Sequence, residues 1–156
     1  MSIAWIGLGA NLGDRAATLN AAFAALKVLP GVESALLSPF YETAPVGGPI
    51  QPDYLNACAR LVFRESPDPR ALLDTLMALE AGHGRERAVH WGPRTLDLDL
   101  LFVGDLVLEA PGLTLPHPRL QERAFVLKPL ADLDPGFRHP VLGRTVAELL
   151  AEVGRG

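Results

Sequence analysis

The chain has 156 residues, of which 49% are hydrophobic and 21% are charged, so disorder is excluded and one domain with a real core is expected. The net charge of −4 argues against a nucleic-acid coat, and the one cysteine, Cys58, excludes an internal disulfide. The longest uncharged run, Met1–Gly13, is too short for a membrane span and does not resemble a signal peptide. We therefore predict a single cytoplasmic domain over residues 1–156 that binds neither nucleic acid nor membranes. We also expect a monomer.

The first half of the chain predicts alternating strands, helices and loops. Short apolar runs indicate strands, an apolar stripe at helical spacing indicates a helix, and a stretch rich in proline and glycine indicates a loop. In chain order these are a strand at Ser2–Gly9, a helix from about Asp14 to Leu29, a strand at Val32–Tyr41, a loop at Thr43–Asp53 and a strand at Tyr54–Phe63.

The second half continues the same alternation. It predicts a helix that opens at Pro67–Pro69 and ends before Gly82, a polar loop at Gly84–Arg94, a strand at Thr95–Val103, a hairpin around Leu106–Leu115, and helices near Arg119–Leu130 and Thr145–Val153. The order strand, helix, strand, strand, helix, strand predicts an α+β fold. We expect a ferredoxin-like βαββαβ antiparallel sheet with both helices on one face, followed by a C-terminal hairpin and helices.

Two acids alternate with apolar residues on the strand predicted at Thr95–Val103. Because side chains alternate across a strand, Asp97 and Asp99 share one face and lie about 6.7 Å apart. The opposite face, expected to pack on the helices, holds Leu96, Leu98, Leu100 and Phe102. The same alternation on the strand at Tyr54–Phe63 directs Tyr54 and Asn56 to the face of the acids, which we expect to be open.

Paired carboxylates without paired histidine or cysteine suit Mg²⁺, which binds a couple of carboxylates and leaves its other positions to water and phosphates. Arg94, just before the strand, could hold a phosphate oxygen beside Asp97 and Asp99. Two alternatives stay open at this point. The acids could be solvated on an exposed strand, or they could form salt bridges with Arg94.

Other motifs have ordinary structural explanations beside the functional ones. The glycines of Gly7–Gly13 follow a strand, but their spacing does not match a dinucleotide-binding fingerprint, so a tight strand-to-helix turn is favoured. Arg85 and Arg87 could be solvated loop residues or mobile countercharges for phosphates. His117, held between two prolines, could belong to a plain surface turn, and Phe125 could be a core residue.

The segment His90–Leu101, with the sequence HWGPRTLDLDLL, resembles a specific motif of the 6-hydroxymethyl-7,8-dihydropterin pyrophosphokinase family. Further stretches at matching separations are Gly7–Gly13, Tyr41–Thr43, Gln51–Asn56 and Pro116–Leu127. Ala44 and Val46 depart from the residues common in the family. The resemblance extends over nearly the whole chain except its last twenty or so residues.

The resemblance implies an enzyme of folate biosynthesis that transfers diphosphate from ATP to the pterin hydroxymethyl group and releases AMP. It also implies two Mg²⁺ ions held by Asp97 and Asp99. Carried over by position, the residues that bind ATP are Arg85, Arg87, Trp91, Arg94, His117 and Arg123, of which Arg85 and Arg94 join the two acids as catalytic. Those that bind the pterin are Thr43, Val46, Tyr54, Asn56 and Phe125.

Two other functions compete with this one. Palm-type nucleotidyl transferases and cyclases also mount paired aspartates on a similar sheet, and they would release pyrophosphate rather than AMP. A ferredoxin-like domain that binds RNA or a small regulator would need no catalysis. Such an RNA-binding sheet would present basic and aromatic side chains, whereas the face predicted here carries two acids.

Overall fold

A computed structural model describes residues 2–43, 53–84 and 96–154 of the chain. The strands are β1 (Ser2–Ala10), β2 (Val32–Leu37), β3 (Tyr41–Thr43), β4 (Tyr54–Phe63), β5 (Asp97–Val103), β6 (Leu108–Ala110) and β7 (Leu113–Leu115). The helices are α1 (Arg15–Lys27), α2 (Pro69–Gly84), α3 (Ala124–Leu133) and α4 (Val146–Val153), with a 3-10 helix at Leu120–Glu122. None of the helices in these ranges is both long enough and apolar enough to cross a bilayer.

The main sheet has the strand order β2-β4-β1-β5, and every neighbouring pair is antiparallel. This confirms the antiparallel sheet predicted from the sequence. Strands β6 and β7 form the predicted hairpin. The single strand predicted at Val32–Tyr41 is wrong, because β2 ends at Leu37 and β3 begins at Tyr41.

A serine and a proline explain the break between β2 and β3. Pro39 has no backbone N–H and cannot donate to a sheet ladder. Ser38 makes two hydrogen bonds with Cys58 in place of regular β-sheet pairing. Its backbone N–H donates to the Cys58 carbonyl at 2.9 Å, and its Oγ accepts the Cys58 N–H at 2.8 Å. The chain then returns to β4 as β3, where Thr43 pairs with Tyr54. The break therefore brings Thr43 to the start of β4.

Helices α1 and α2 cover one face of the sheet through a first hydrophobic cluster. Their buried residues there are Leu19, Ala22, Leu26, Leu72 and Leu76. The sheet contributes alternate positions of β1 and β4 together with three residues of β5, namely Ala4, Ile6, Leu8, Ala10, Ala57, Ala59, Leu61, Phe63, Leu98, Leu100 and Val103. The alternation predicted for β4 is confirmed, because Ala57, Ala59 and Leu61 lie in this cluster whereas Cys58 lies on the opposite face.

A second hydrophobic cluster lies on the other face, under α3 and α4. It contains Trp5, Cys58, Leu101, Phe102, Leu120, Val126, Leu127, Leu130, Val146 and Leu149. Phe102 was predicted to share a face with Leu100, and this is wrong. The pairing of β1 with β5 has a bulge between Trp5 and Ile6, so Ile6 faces Leu100 and Trp5 faces Phe102 with Leu101 as the extra residue. The face predicted to be open is therefore covered at this end of the sheet.

The helix predicted near Arg119–Leu130 is two elements rather than one. A 3-10 helix at Leu120–Glu122 ends at Arg123, whose φ of −119° and ψ of 99° are extended, and α3 starts at the next residue. Arg119 and Arg123 are therefore the two residues that flank the 3-10 helix, and they are not one α-helical turn apart as the helix predicted near Arg119–Leu130 would place them. The last helix agrees with the prediction and begins with a capping box between Thr145 and Glu148.

A buried histidine anchors the chain between α3 and α4. His139 is 4% exposed, and its ring packs edge-on against Phe102 with the centroids 5.6 Å apart. Its Nδ1 accepts the backbone N–H groups of Val141 and Leu142, both at 3.1 Å. Burial lowers the pKa of His139, because it disfavours the charged form. The neutral ring is therefore part of the folded structure.

We predict that stability falls as the pH drops below about 6.5, the ordinary pKa of histidine. A lowered pKa in the folded state means that the unfolded chain binds the proton more readily, so the contribution of His139 is complete above that pH and is lost below it. Urea unfolding of the wild type and His139→Asn between pH 5 and 8 measures this. The asparagine oxygen can replace Nδ1 as an acceptor and does not titrate, so its profile should be flatter. Parallel profiles would contradict the prediction.

Candidate functional site

A cavity of about 880 Å³ opens on the face of the sheet that carries α3, beyond the end that the second cluster covers. Its floor is made by β1, β4 and β5, and its wall by the segment from Arg119 to Val126. Seven residues predicted as site residues line it, namely Thr43, Tyr54, Asn56, Asp97, Asp99, Arg123 and Phe125. Residues as far apart in the sequence as Thr43 and Phe125 therefore meet in one place.

Asp97 and Asp99 line this cavity together, as their spacing on a strand predicts. They pair with Gly9 and Gly7 of β1, while Leu98 between them is buried in the first cluster on the opposite face. Both acids are partly exposed to the cavity, so their oxygens are accessible to a ligand. Two carboxylates on one face fit a hard cation that keeps its other positions for water and phosphate. The described ranges contain no group of three or more histidine, cysteine or acidic residues that could hold a metal ion.

Glu80 fixes the strand segment between the two acids. β5 is at the edge of the sheet, so alternate N–H groups point away from β1 and need another acceptor. The Leu98 N–H donates to Glu80 Oε2 on α2 at 2.8 Å. This hydrogen bond holds the backbone between Asp97 and Asp99 and so restrains both carboxylates. Sequence analysis missed Glu80, because nothing in a helix sequence indicates which edge strand its acid will meet.

The end of the cavity formed by β3 and β4 has polar groups beside aromatic ones. Asn56 Nδ2 donates to Thr43 Oγ1 at 2.6 Å, which leaves the threonine hydroxyl hydrogen to point at another acceptor. Tyr54 and Phe125 line the same cavity from the sheet and from α3. A Cβ at Gly9 would lie 3.1 Å from Asn56 Oδ1, so glycine leaves room for the amide. The arrangement suits a flat ring with hydrogen-bonding edges.

Glycines at alternate positions of β1 leave the cavity floor without side chains at those positions. Gly7 and Gly9 are strand residues that line the cavity, and the turn after β1 uses Gly13, whose φ is 63°. The strand predicted at Ser2–Gly9, which contains Gly7 and Gly9, is confirmed, and the turn favoured for Gly7–Gly13 begins only after Ala10. Two glycines separated by one residue on a strand were the available signal, because they leave one face without side chains.

The wall of the cavity carries two arginines. The Arg123 guanidinium lies 5.7 Å from the centre of the Phe125 ring, so it stands beside the aromatic end. Arg119 also lines the cavity, as does Glu122, and sequence analysis assigned neither of them a role. Over the ranges that the structure describes, no carboxylate makes a salt bridge with either arginine. Both guanidinium groups can therefore meet an anion.

His117 lies beside the cavity rather than on its wall. The backbone N–H of His117 donates to the Leu101 carbonyl at 2.9 Å, and this hydrogen bond attaches the segment after β7 to β5. Burial lowers the pKa of His117, while the Asp99 carboxylate acts in the opposite direction, and Arg123 and Arg119 add to the lowering. Its Nδ1 accepts the Arg119 N–H at 3.4 Å, an arrangement that leaves the hydrogen of the neutral ring on Nε2 as a donor.

The side chains of Arg15 and Tyr41 stabilise the side of the cavity formed by β3. Arg15 Nη1 donates to Glu42 Oε1 at 3.1 Å and to the Asp53 carbonyl at 2.8 Å, so it joins the residues on either side of positions 44–52. Tyr41 donates its hydroxyl to Asp132 of α3, and this hydrogen bond raises the pKa of Tyr41. Strand β3 is thus tied to the helix that carries Phe125.

Five predicted site residues lie outside the described residues: Val46, Arg85, Arg87, Trp91 and Arg94. The same holds for most of the two loops predicted at Thr43–Asp53 and Gly84–Arg94. Of the predicted sites that the structure describes, all lie on the cavity except His117, which lies next to it. The cavity has acids on one strand, guanidinium groups on the opposite wall and aromatic rings at one end, which is suited to an anion bound together with a flat ring.

Comparison with known proteins gives a consistent result. Residues 5–135 match the model of the 7,8-dihydro-6-hydroxymethylpterin-pyrophosphokinase family. A relative from Synechocystis is 46% identical over 95% of this chain and 74% of its own length. One from Pseudomonas aeruginosa is 44% identical over 94% of this chain and 89% of its own length. Both are named 2-amino-4-hydroxy-6-hydroxymethyldihydropteridine pyrophosphokinase.

Solved structures share the fold. The HPPK-DHPS triple mutant of Plasmodium falciparum superposes with a TM-score of 0.73 over 97% of this chain at 17% identity. The present chain spans 44% of that longer protein. The family match and the two close relatives, which extend over most of the chain, show that the chain belongs to the enzyme family of 7,8-dihydro-6-hydroxymethylpterin pyrophosphokinases.

Proposed function

We propose that this protein transfers the β- and γ-phosphates of ATP as diphosphate to the hydroxymethyl group of 6-hydroxymethyl-7,8-dihydropterin and releases AMP. This reaction is a step of folate biosynthesis. The observation that carries the proposal is the meeting of Asp97 and Asp99 with Arg123 and Phe125 around one cavity. We also infer that the strand order β2-β4-β1-β5, with α1 and α2 on one face, is the ferredoxin-like arrangement. The cytoplasmic location, the monomeric state and the single domain stay predictions.

The aromatic end of the cavity is proposed to hold the pterin. Tyr54 and Phe125 would stack on its ring, since offset aromatic contacts favour flat heterocycles. Thr43 and Asn56 would bind the ring edge, and the Thr43 hydroxyl is left as a donor because it already accepts from Asn56. Among the residues outside the described ranges, Val46 is proposed for this edge. Binding in this way directs the hydroxymethyl group toward the rest of the cavity.

The acidic and basic walls are proposed to hold the polyphosphate. Arg123 stands beside Phe125, so a phosphate bound to its guanidinium would be next to the pterin. His117 would donate from Nε2 as a neutral group. Arg85, Arg87, Trp91 and Arg94 stay proposed for the same nucleotide from their sequence positions.

Asp97 and Asp99 would hold two Mg²⁺ ions, which when bound supply charge neutralisation on the phosphates. The chain itself orients the reactants. Its contacts would hold the pterin hydroxyl in line with the β-phosphorus, so that the new oxygen–phosphorus bond forms as the bond to the AMP oxygen breaks and the hydroxyl proton is released to solvent. The Glu80 hydrogen bond to Leu98 keeps the two carboxylates in place during this step.

Product analysis tests the reaction. We expect that the protein, incubated with ATP, MgCl₂ and 6-hydroxymethyl-7,8-dihydropterin, releases one AMP for each pterin diphosphate formed. The control is the same mixture without the pterin. Free pyrophosphate as the product would identify nucleotidyl transfer instead, and ADP would identify transfer of a single phosphate. Either result would overturn the proposal.

Replacing Asp97 or Asp99 by asparagine should reduce turnover at least about a hundredfold, since charge stabilisation in the transition state is lost. Both side chains are partly exposed, so the thermal midpoint should stay near the wild-type value. Steady-state kinetics and thermal unfolding measure the two effects. The matched control is Asp105→Asn, because Asp105 is an exposed acid in the turn just after β5. Near-normal turnover in either cavity variant would refute their assignment.

Phe125→Ala should raise the Kd of the pterin about tenfold or more, because a stacked ring contact is lost. The Kd of the nucleotide should change much less, although Arg123 loses its ring contact as well. Calorimetric titrations with each ligand give both constants. Phe125→Tyr retains the ring and should restore pterin binding. Equal losses for both ligands in the alanine variant would argue against the stacking role.

A further inference from the structure

Arg119 is an exposed cation on the cavity wall that has no role in the proposed reaction. Its backbone has structural contacts: its N–H donates to His117 Nδ1 and its carbonyl accepts the Glu122 N–H at 3.0 Å. Its guanidinium is not used by any salt bridge over the described ranges. The side chain can therefore be changed without removing a contact that supports the fold.

We propose that Arg119 is a further phosphate-binding residue, which acts with Arg123 as a two-pronged clamp on the polyphosphate. The two arginines flank the 3-10 helix Leu120–Glu122. Two backbone hydrogen bonds hold this helix: the Glu122 N–H donates to the Arg119 carbonyl, and the Arg123 N–H donates to the Leu120 carbonyl. A hydrogen-bonded turn thus separates the guanidinium groups of Arg119 and Arg123, and both residues line the same cavity. Guanidinium groups suit phosphate oxygens, because each can donate two parallel hydrogen bonds.

The charge balance of the cavity supports this role. The charged residues that line it within the described ranges are Asp97, Asp99, Glu122, Arg119 and Arg123. If the acids of β5 are taken up by cations, Glu122 remains against the two arginines, and the wall has one net positive charge. Without Arg119, Glu122 would offset Arg123, and the wall would have no net charge. Arg119 therefore supplies the net positive charge of the wall.

This inference rests on the proposed function for its natural ligand, but its test does not depend on turnover. Inorganic pyrophosphate and ATP, each with MgCl₂, are titrated into the wild type, Arg119→Gln and Glu122→Gln by calorimetry. We expect Arg119→Gln to raise the Kd of both ligands about tenfold, the loss of a charge-assisted hydrogen bond. Glu122→Gln should lower the Kd by about two- to fivefold, the usual contribution of an exposed charge pair.

Three controls separate this role from a structural one. Arg64→Gln removes an exposed arginine that is paired with Glu33 and lies away from the cavity, and it should leave both Kd values unchanged. Arg119→Lys keeps the charge and should recover part of the affinity. The difference between Arg119→Gln and wild type should shrink in high salt, since the interaction is electrostatic. Thermal midpoints of all variants should agree.

The outcomes are distinguishable. Unchanged binding in Arg119→Gln, or equal shifts in the same direction for Arg119→Gln and Glu122→Gln, overturns the inference even if the wild type releases AMP. If the wild type binds pyrophosphate through Arg119 but releases no AMP when incubated with ATP, MgCl₂ and the pterin, the inference is supported and the proposed function is wrong. A wild type that binds neither ligand overturns both.

Discussion

The pairing of β1 with β5 determines what each face of the sheet can do. Up to the bulge, alternate residues of β5 go to opposite faces, so Leu98 packs under α1 and α2 while Asp97 and Asp99 line the cavity. At the bulge, Leu101 and Phe102 both join the second cluster under α3 and α4. One strand therefore supports two cores and a polar site, and the bulge marks the boundary between the covered part of this face and the part that stays accessible.

The second cluster is also what places the cavity wall. Helix α3 is held on the sheet by Val126, Leu127 and Leu130, which face Trp5, Cys58 and Phe102 in the same cluster. Phe125 and Arg123, at the start of this helix, are thereby brought over the glycines of β1. The binding residues on the wall owe their position to apolar contacts farther along the same helix. A large apolar residue on β1 in place of Gly7 or Gly9 would fill the space that these contacts leave.

Several charged or polar residues connect structural elements around the cavity through hydrogen bonds and are not proposed to bind a ligand. Glu80 binds the edge of β5 between the two acids, and Arg15 joins the residues on either side of positions 44–52. Tyr41 connects β3 to α3 through Asp132. All three contacts link elements that are distant in the sequence. They fix the relative positions of the acidic strand, the polar end and the aromatic wall, which a cavity built from five separate segments requires.

The sequence by itself determined the antiparallel sheet, the alternation that puts Asp97 and Asp99 on one face with Tyr54 and Asn56, and the family resemblance. These follow from local periodicity and from motifs, which are properties of short segments. Only the tertiary structure decided that Phe102 leaves the face of Leu100, that Pro39 divides a strand, that Arg119 and Glu122 line the cavity, and that Glu80 binds the strand of the two acids. A bulge shifts every later side chain by one position, and contacts between distant segments depend on how helices pack on the sheet, so no local pattern encodes either of them.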